Sequence, residues 1–278
     1  MMQAPYVLTA NARIHVFDAR DLPWQDTPEP GLRLKPVRYD DEHGHYLGLV
    51  EFDALARSGL HQHLGVATSF VLDGGLTDYH GSLALHQAGI NLAGATHDAI
   101  AYRHTLLVSR LEGPVVYPPE RGALSGLHAG SHHAEVMNPA PEVAPEINVE
   151  VDALPAWQTG IPGLRRQTIF DYAGTGTGTS TNTGSAQRYV QLSLAPGSSC
   201  PRWQAAALTE FWLRGGQLQI DGRTVHANSF VVIEAGASVQ MSAPFGALLL
   251  AWAAASEVWE QPSALPRTHA ARCSLFGF

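Results

Sequence analysis

The chain has 278 residues, 45% of them hydrophobic and only 15% charged, with a formal net charge of −8. Its Lys and Arg form no basic stripe, which argues against nucleic-acid binding, because neutralising phosphates takes clustered cations. No segment reaches the roughly 18 consecutive apolar residues a membrane helix needs, and two cysteines make no disulfide framework, so a cytoplasmic protein of one large or two small domains, away from membranes, is expected.

The opening MMQAPYVLTANARIHVF has neither a basic start nor a long apolar run and does not read as a signal peptide. The leader DARDLPWQDTPEPGLRLKPVRYD (18–40) sets a Leu-Pro pair, Trp24 and Pro30-Gly31-Leu32 before an apolar stretch. DDEHGH (40–45) reads as a hairpin loop, with His43 and His45 as loop residues. In GLHQHL (59–64), residues i and i+2 of a strand share a face, so His61 and His63 project together. SFVLDGGLTDYHG continues as strand and turn, with Thr68, Phe70 and Leu72 expected to share an inward face, and His80 and His86 expected in solvent at the turn. His97 follows the small-residue turn AGAT, where the chain returns to the sheet, and is the natural third partner of His61 and His63. His104 reads as structural, and Arg33, Tyr46 and Tyr102 as candidate polar groups of a pocket.

The segment SHHAEVMNPAPEVAPEINVEV (131–151) is rich in Pro and Glu and suits an extended linker. His128, His132 and His133 just before and within it read as exposed residues able to take up metal adventitiously. Beyond it the chain repeats itself. VDALPAWQTGIPGLRRQTIFDY (151–172) echoes the leader, with Trp157 on Trp24, and both tryptophans are expected to pack the leader onto the body. RWQAAALTEFWLRGGQLQIDG (202–222) echoes 61–81, with Gly215-Gly216 on Gly74-Gly75, and VIEAGASVQM (232–241) echoes 91–100. Between them, GTGTGTSTNTGS (174–185) is a low-complexity stretch expected as a surface loop. Asp221-Gly222 is a pair that closes a two-residue hairpin. The expected organisation is a first domain at 10–120, a linker at 121–147, a second domain at 148–260 and a tail at 261–278, all of short strands and turns. Cys200 and Cys273 read as inert thiols.

His-x-His after a glycine turn, then FVLDGGL, then LAGATH, resembles the two motifs of the cupin superfamily, and the whole chain resembles a bicupin. The fold this implies is all-β, two tandem cupin barrels (double-stranded β-helix, jelly roll). The leader narrows the likeness to the group holding the anti-sigma-factor cupin domains, the acetylacetone-cleaving dioxygenases and the 2,4'-dihydroxyacetophenone dioxygenases. The resemblance implies one divalent metal per chain, with Fe(II) favoured over Zn or Ni, on His61, His63 and His97. Cupins usually add a Glu four or five residues after the second His, and here Ala67 and Thr68 stand there, with Thr68 a candidate for positioning water or substrate. In the second copy the matching positions are expected at Arg202, Gln204 and Val239, which make no metal site. A small-molecule substrate is the expected partner, and a homodimer is a candidate assembly. A sigma factor enters under the alternative, a zinc-holding regulatory cupin; a metal-free binding or storage bicupin is the third reading.

Overall fold

The computed structural model describes residues 4–6, 13–78, 81–117, 146–172, 187–261, 265 and 273–277. The loop expected at 174–185, nearly all of the linker, and His80, His128, His132 and His133 lie outside them. In chain order the strands are β1 (Ile14–Asp18), β2 (Gln25–Asp26), β3 (Leu32–Asp40), β4 (His45–Phe52), β5 (His61–His63), β6 (Ala67–Asp73), β7 (Gly75–Asp78), β8 (Gly81–Ala84), β9 (Gln87–Asn91), β10 (Thr96–His97), β11 (Thr105–Glu112), β12 (Val115–Val116) and β13 (Glu146–Glu150). The second half holds β14 (Trp157–Gln158), β15 (Leu164–Tyr172), β16 (Gln187–Leu194), β17 (Ser198–Ser199), β18 (Trp203–Gln204), β19 (Thr209–Ile220), β20 (Arg223–His226), β21 (Ser229–Ile233), β22 (Ser238–Val239), β23 (Met241–Ala243), β24 (Ala247–Ala253) and β25 (Val258–Trp259). The protein is all-β, and it divides into two compact units, Met1–Val7 with Leu22–Asp152 and Leu8–Asp21 with Ala153–Phe278.

The first unit pairs β13-β9-β6-β11-β4-β3-β2 in one antiparallel sheet and β10-β5-β12 in a second, with β7 and β8 as a hairpin. The second unit repeats the plan: β1-β21-β19-β24-β16-β15-β14 form its large sheet and β22-β18-β25 its small one. Local chemistry explains several turns. Asp221 (φ 45) and Gly222 (φ 79) both take positive φ, the geometry of a type I′ turn that matches strand twist. Pro36 lies at the register shift of β3 against β4, where a missing ladder donor does no harm. Gly74 and Gly216 sit at φ 75 and φ 78 beside equivalent shifts of register, and a Cβ on either would strike a neighbouring carbonyl oxygen, of His104 and Gly246 respectively.

Two strands cross the boundary expected from the sequence, which runs 10–120 and 148–260. β13 lies just upstream of the second repeat yet pairs with β9 of the first unit. β1 lies inside the span expected for the first domain yet pairs with β21 of the second, Ile14 opposite Ile233. A sheet edge in each unit is therefore closed by the short strand that precedes the leader of the other repeat.

Backbone hydrogen bonds fix which residues correspond. His63 N donates to Ala95 O and Gly94 N to His63 O; Ala205 N donates to Ala237 O and Gly236 N to Ala205 O. Gln62 Nε2 donates to Gly94 O at 3.1 Å, and Gln204 Nε2 to Gly236 O at 3.0 Å. His61 and His63 therefore correspond to Trp203 and Ala205, not to Arg202 and Gln204 as the sequence leads one to expect; Val239 is the true counterpart of His97. Matching the glycine pairs as pairs puts the repeat one residue out, because the equivalent glycines are Gly74 and Gly216. A one-residue slip turns every side chain to the other face.

Paired residues share a face, so the corrected phase also identifies the inner wall. In the second barrel Val190, Phe211, Val231 and Ala251 lie in one rung and join a continuous apolar core with Trp203 and Val239. The same rung of the first barrel is Gly48, Ser69, Gly89 and Ser109. Phe211, Val231 and Ala251 are buried, whereas Ser69 and Ser109 are partly exposed. One barrel is apolar at this level; the other carries only small residues there, with Tyr46 packed against Gly48 and Leu83 against Gly89. Replacing Phe211 by Ala is expected to cost about 3–5 kcal/mol, and Ser69→Ala no more than about 0.5 kcal/mol, measured by chemical denaturation of the full chain.

Candidate metal centre

β5 and β10 pair with His61 directly opposite His97, and β5 carries His63 on the same face. The geometry is braced from outside. Ser58 N donates to Ala99 O at 2.9 Å and Ala99 N to Ser58 Oγ at 2.9 Å, and Arg57 forms an ion pair with the buried Asp98. These contacts clamp the segments flanking both strands, so the three rings face one another.

His61 Nε2 lies 3.2 Å from His63 Nε2, and His63 Nε2 lies 3.1 Å from His97 Nε2. Metal–nitrogen bonds of about 2.0–2.1 Å separate adjacent ligand nitrogens by about 2.9–3.4 Å, so the spacing suits a bound cation. His61 Nδ1–H donates to Gly59 O at 2.7 Å, which fixes its tautomer and leaves the Nε2 lone pair pointing into the cluster. Burial, with the neighbouring His97 adding to it, lowers the His61 pKa to about 3, and burial with both neighbours holds His63 well below the usual range. Both imidazoles are thus neutral near pH 7, the form that binds metal. This is the one such cluster of His, Cys, Asp and Glu among the described residues.

Asp78 is the residue that sequence reading passes over. Its carboxylate, on a side chain 7% exposed, lies 3.6 Å from His97 Nδ1, which is buried and has no hydrogen-bond partner. Thr77 and Ile100 exchange backbone hydrogen bonds of 2.9 and 2.8 Å, so the hairpin that carries Asp78 is tied to the strand end that carries His97. The only sequence signal is an acidic residue at a hairpin end, which is too common to single out.

Other expected site residues separate. Ala67, not Thr68, is on the inner wall: Ala67 pairs with Asn91 and Leu111, while Thr68 pairs with Ile90 and Arg110 on the opposite face together with Phe70. The expectation that Thr68 positions water or substrate is corrected by that alternation. Tyr46 does reach the interior, where its hydroxyl donates to Leu49 O at 2.7 Å beneath Gly48. Arg33 instead pairs with Glu51 near Trp24, and Tyr102 is 65% exposed. Trp24 is partly buried with Lys35 Nζ 4.7 Å from its ring centre, but Trp157 is 64% exposed and does not pack the second leader down. His43 bonds Asp40 at the hairpin, and His86 is exposed at a turn. Arg202 is engaged at the surface by Asp221, Ser238 and Gln240. Cys200 and Cys273 are buried, and burial pushes the Cys200 thiol up to about 12, in keeping with an inert thiol.

His104 is structural: its Nε2 contacts Glu51 at 2.9 Å, and that hydrogen bond raises its pKa. A raised folded-state pKa gives stability that is present below about pH 6.5 and lost as pH rises through the folded value. The melting-temperature gap between native protein and His104→Gln is therefore expected to be wider at about pH 5.5 than at about pH 8.5. At the centre itself, His61→Ala, His63→Ala or His97→Ala is expected to abolish tight zinc retention. Asp78→Ala should weaken it by about 10–100-fold, read by calorimetric titration of the metal-free protein.

Comparison with known proteins agrees with this geometry. Residues 12–116 match the model of the ChrR cupin-like domain. No curated protein matches the chain. Among solved structures, a candidate dioxygenase from Nostoc punctiforme superposes with a TM-score of 0.64 at 10% identity, covering 86% of this chain and 81% of that one. A variant of Bacillus subtilis oxalate decarboxylase superposes with a TM-score of 0.55 at 11% identity, covering 92% of this chain and 81% of its own. Lactobacillus farciminis oxalate decarboxylase, in its formate complex, gives a TM-score of 0.57 at 12% identity, covering 92% and 90%. No helix among the described residues is long and apolar enough to cross a membrane. The chain has the cupin fold, twice over, with a three-histidine cluster able to hold a metal in its first barrel and apolar residues at the same positions in its second.

Proposed function

We propose that this protein is an iron(II)-dependent dioxygenase that cleaves a C–C bond of a small enolisable ketone or β-diketone. The observation that carries the reading is a three-nitrogen cluster, with no carboxylate among its ligand atoms, in a barrel whose inner wall is small and polar where that of the second barrel is apolar. Iron held by His61, His63 and His97 would supply a Lewis-acidic, redox-active centre with coordination positions left for substrate and oxygen.

The chain's own residues favour an anionic chelator there. Ala67 occupies the inner-wall position after the His-x-His pair, so no carboxylate binds the ion from there and the nearest one, Asp78, stands behind His97; an enolate complements the remaining charge. Neutral His61 and His63 add none. Gly48, Ser69, Gly89 and Ser109 keep one rung of the inner wall small and polar, with Tyr46 packed against Gly48 and Leu83 against Gly89. Asp78 faces His97 Nδ1 and orients that ring.

A zinc-holding, non-catalytic regulatory barrel is the second reading, favoured by the match of residues 12–116 to the ChrR cupin-like domain. Oxygen uptake separates the two. Anaerobically purified, iron-loaded protein is expected to consume oxygen with acetylacetone or a related diketone, and His97→Ala to lose this. Retained iron with no uptake across a broad panel of diketones and hydroxyketones overturns the dioxygenase reading; tight zinc together with capture of a sigma factor supports the regulatory one.

A further inference from the structure

We infer that Asn91, with Ser69 and Ser109 on the adjoining rung, forms a hydroxyl-recognition subsite, so that the substrate is an enolisable ketone carrying a hydrogen-bond donor besides its chelating oxygens. This rests on the chelating role of the three-histidine centre proposed above.

Asn91 ends β9 and pairs with Ala67, which pairs in turn with Leu111. Its counterpart in the second barrel is Ile233, a buried member of the core that also holds Trp203 and Val239, the counterparts of His61 and His97. The position therefore faces the barrel interior, and the fold accepts an aliphatic residue there. In the first barrel it carries a carboxamide whose Oδ1 is buried and has no hydrogen-bond partner. An unsatisfied buried acceptor is disfavoured and is found chiefly where a ligand or water completes it.

The next rung supplies the rest of the wall. Ser69 and Ser109 face each other across β6 and β11 and are partly exposed. Ser109 Oγ makes only a long contact, 3.5 Å, to Thr68 O. Hydroxyls both donate and accept, so they adapt to whatever the acceptor of Asn91 recruits. Across β4, β11, β6 and β9 one rung holds Tyr46, Leu111, Ala67 and Asn91, the other Gly48, Ser109, Ser69 and Gly89, and on its far side Asn91 pairs with Glu146 of β13. A hydroxyl is the group that answers this set, because it donates to the Asn91 oxygen and can accept from a serine hydroxyl at the same time.

Zinc-loaded full-length protein separates binding from turnover. Calorimetry would compare acetylacetone with terminally hydroxylated acetylacetone. The hydroxylated compound is expected to bind roughly five- to tenfold more tightly. In Asn91→Leu that preference should vanish, while zinc content, melting temperature and acetylacetone affinity hold. Ser69→Ala and Ser109→Ala, which remove one oxygen each, should reduce the preference a few-fold and decide the matter if Asn91→Leu does not fold. Equal binding of the two compounds, or a preference that survives these substitutions, overturns the subsite and leaves the chelating centre standing. Binding of neither compound overturns both.

Discussion

Neutral imidazoles brought edge to edge repel through their lone pairs unless a proton or a cation lies between them. In this protein the Nε2 atom of His63 stands 3.2 Å from that of His61 and 3.1 Å from that of His97, and burial disfavours the proton at His61 and His63. The arrangement persists because the backbone imposes it. Antiparallel pairing sets His97 opposite His61, the Gly59 carbonyl holds one ring, and the Arg57–Asp98 pair with the Ser58–Ala99 bonds closes the flanks. A cation relieves the lone-pair crowding, so folding and metal affinity are coupled at this point.

The second barrel shows what the same backbone does without that demand. Trp203, Ala205 and Val239 take the places of the three histidines, and all are buried in apolar surroundings. Phe211 and Val231 stand where the first barrel has Ser69 and Gly89. Well-packed apolar volume stabilises one barrel; the other keeps polar groups on its inner wall, an arrangement that costs stability and persists where it serves binding. Asn91 belongs to this group, with a buried acceptor where its twin is Ile233.

The exchange of β1 and β13 gives the units a shared construction. An exposed sheet edge is a template for unwanted pairing. β13 covers the edge of β9, and β1 that of β21, so neither barrel is complete within one contiguous repeat. His15 reinforces the second closure, with its Nε2 3.1 Å from the buried Glu234 carboxylate.

By itself the sequence determined the all-β class, the twofold repeat, the His-x-His pair and its third partner His97. Those signals are local: a period of two along a strand, turn residues at fixed places, and a motif read in a few residues. Only the tertiary structure decided the rest. The phase of the repeat depended on which single glycine takes a positive φ, and a pair of glycines in each copy conceals that. Thr68 and Ala67 are adjacent in the chain but on opposite faces. Asp78, Asn91 and the small polar rung of Ser69 and Ser109 depend on contacts between strands far apart in sequence, and so does the pairing of β1 with a strand more than half the chain away. Chain order carries the alternation of side chains, but the register between strands, which chooses the face that meets the metal, is set by long-range hydrogen bonds and packing.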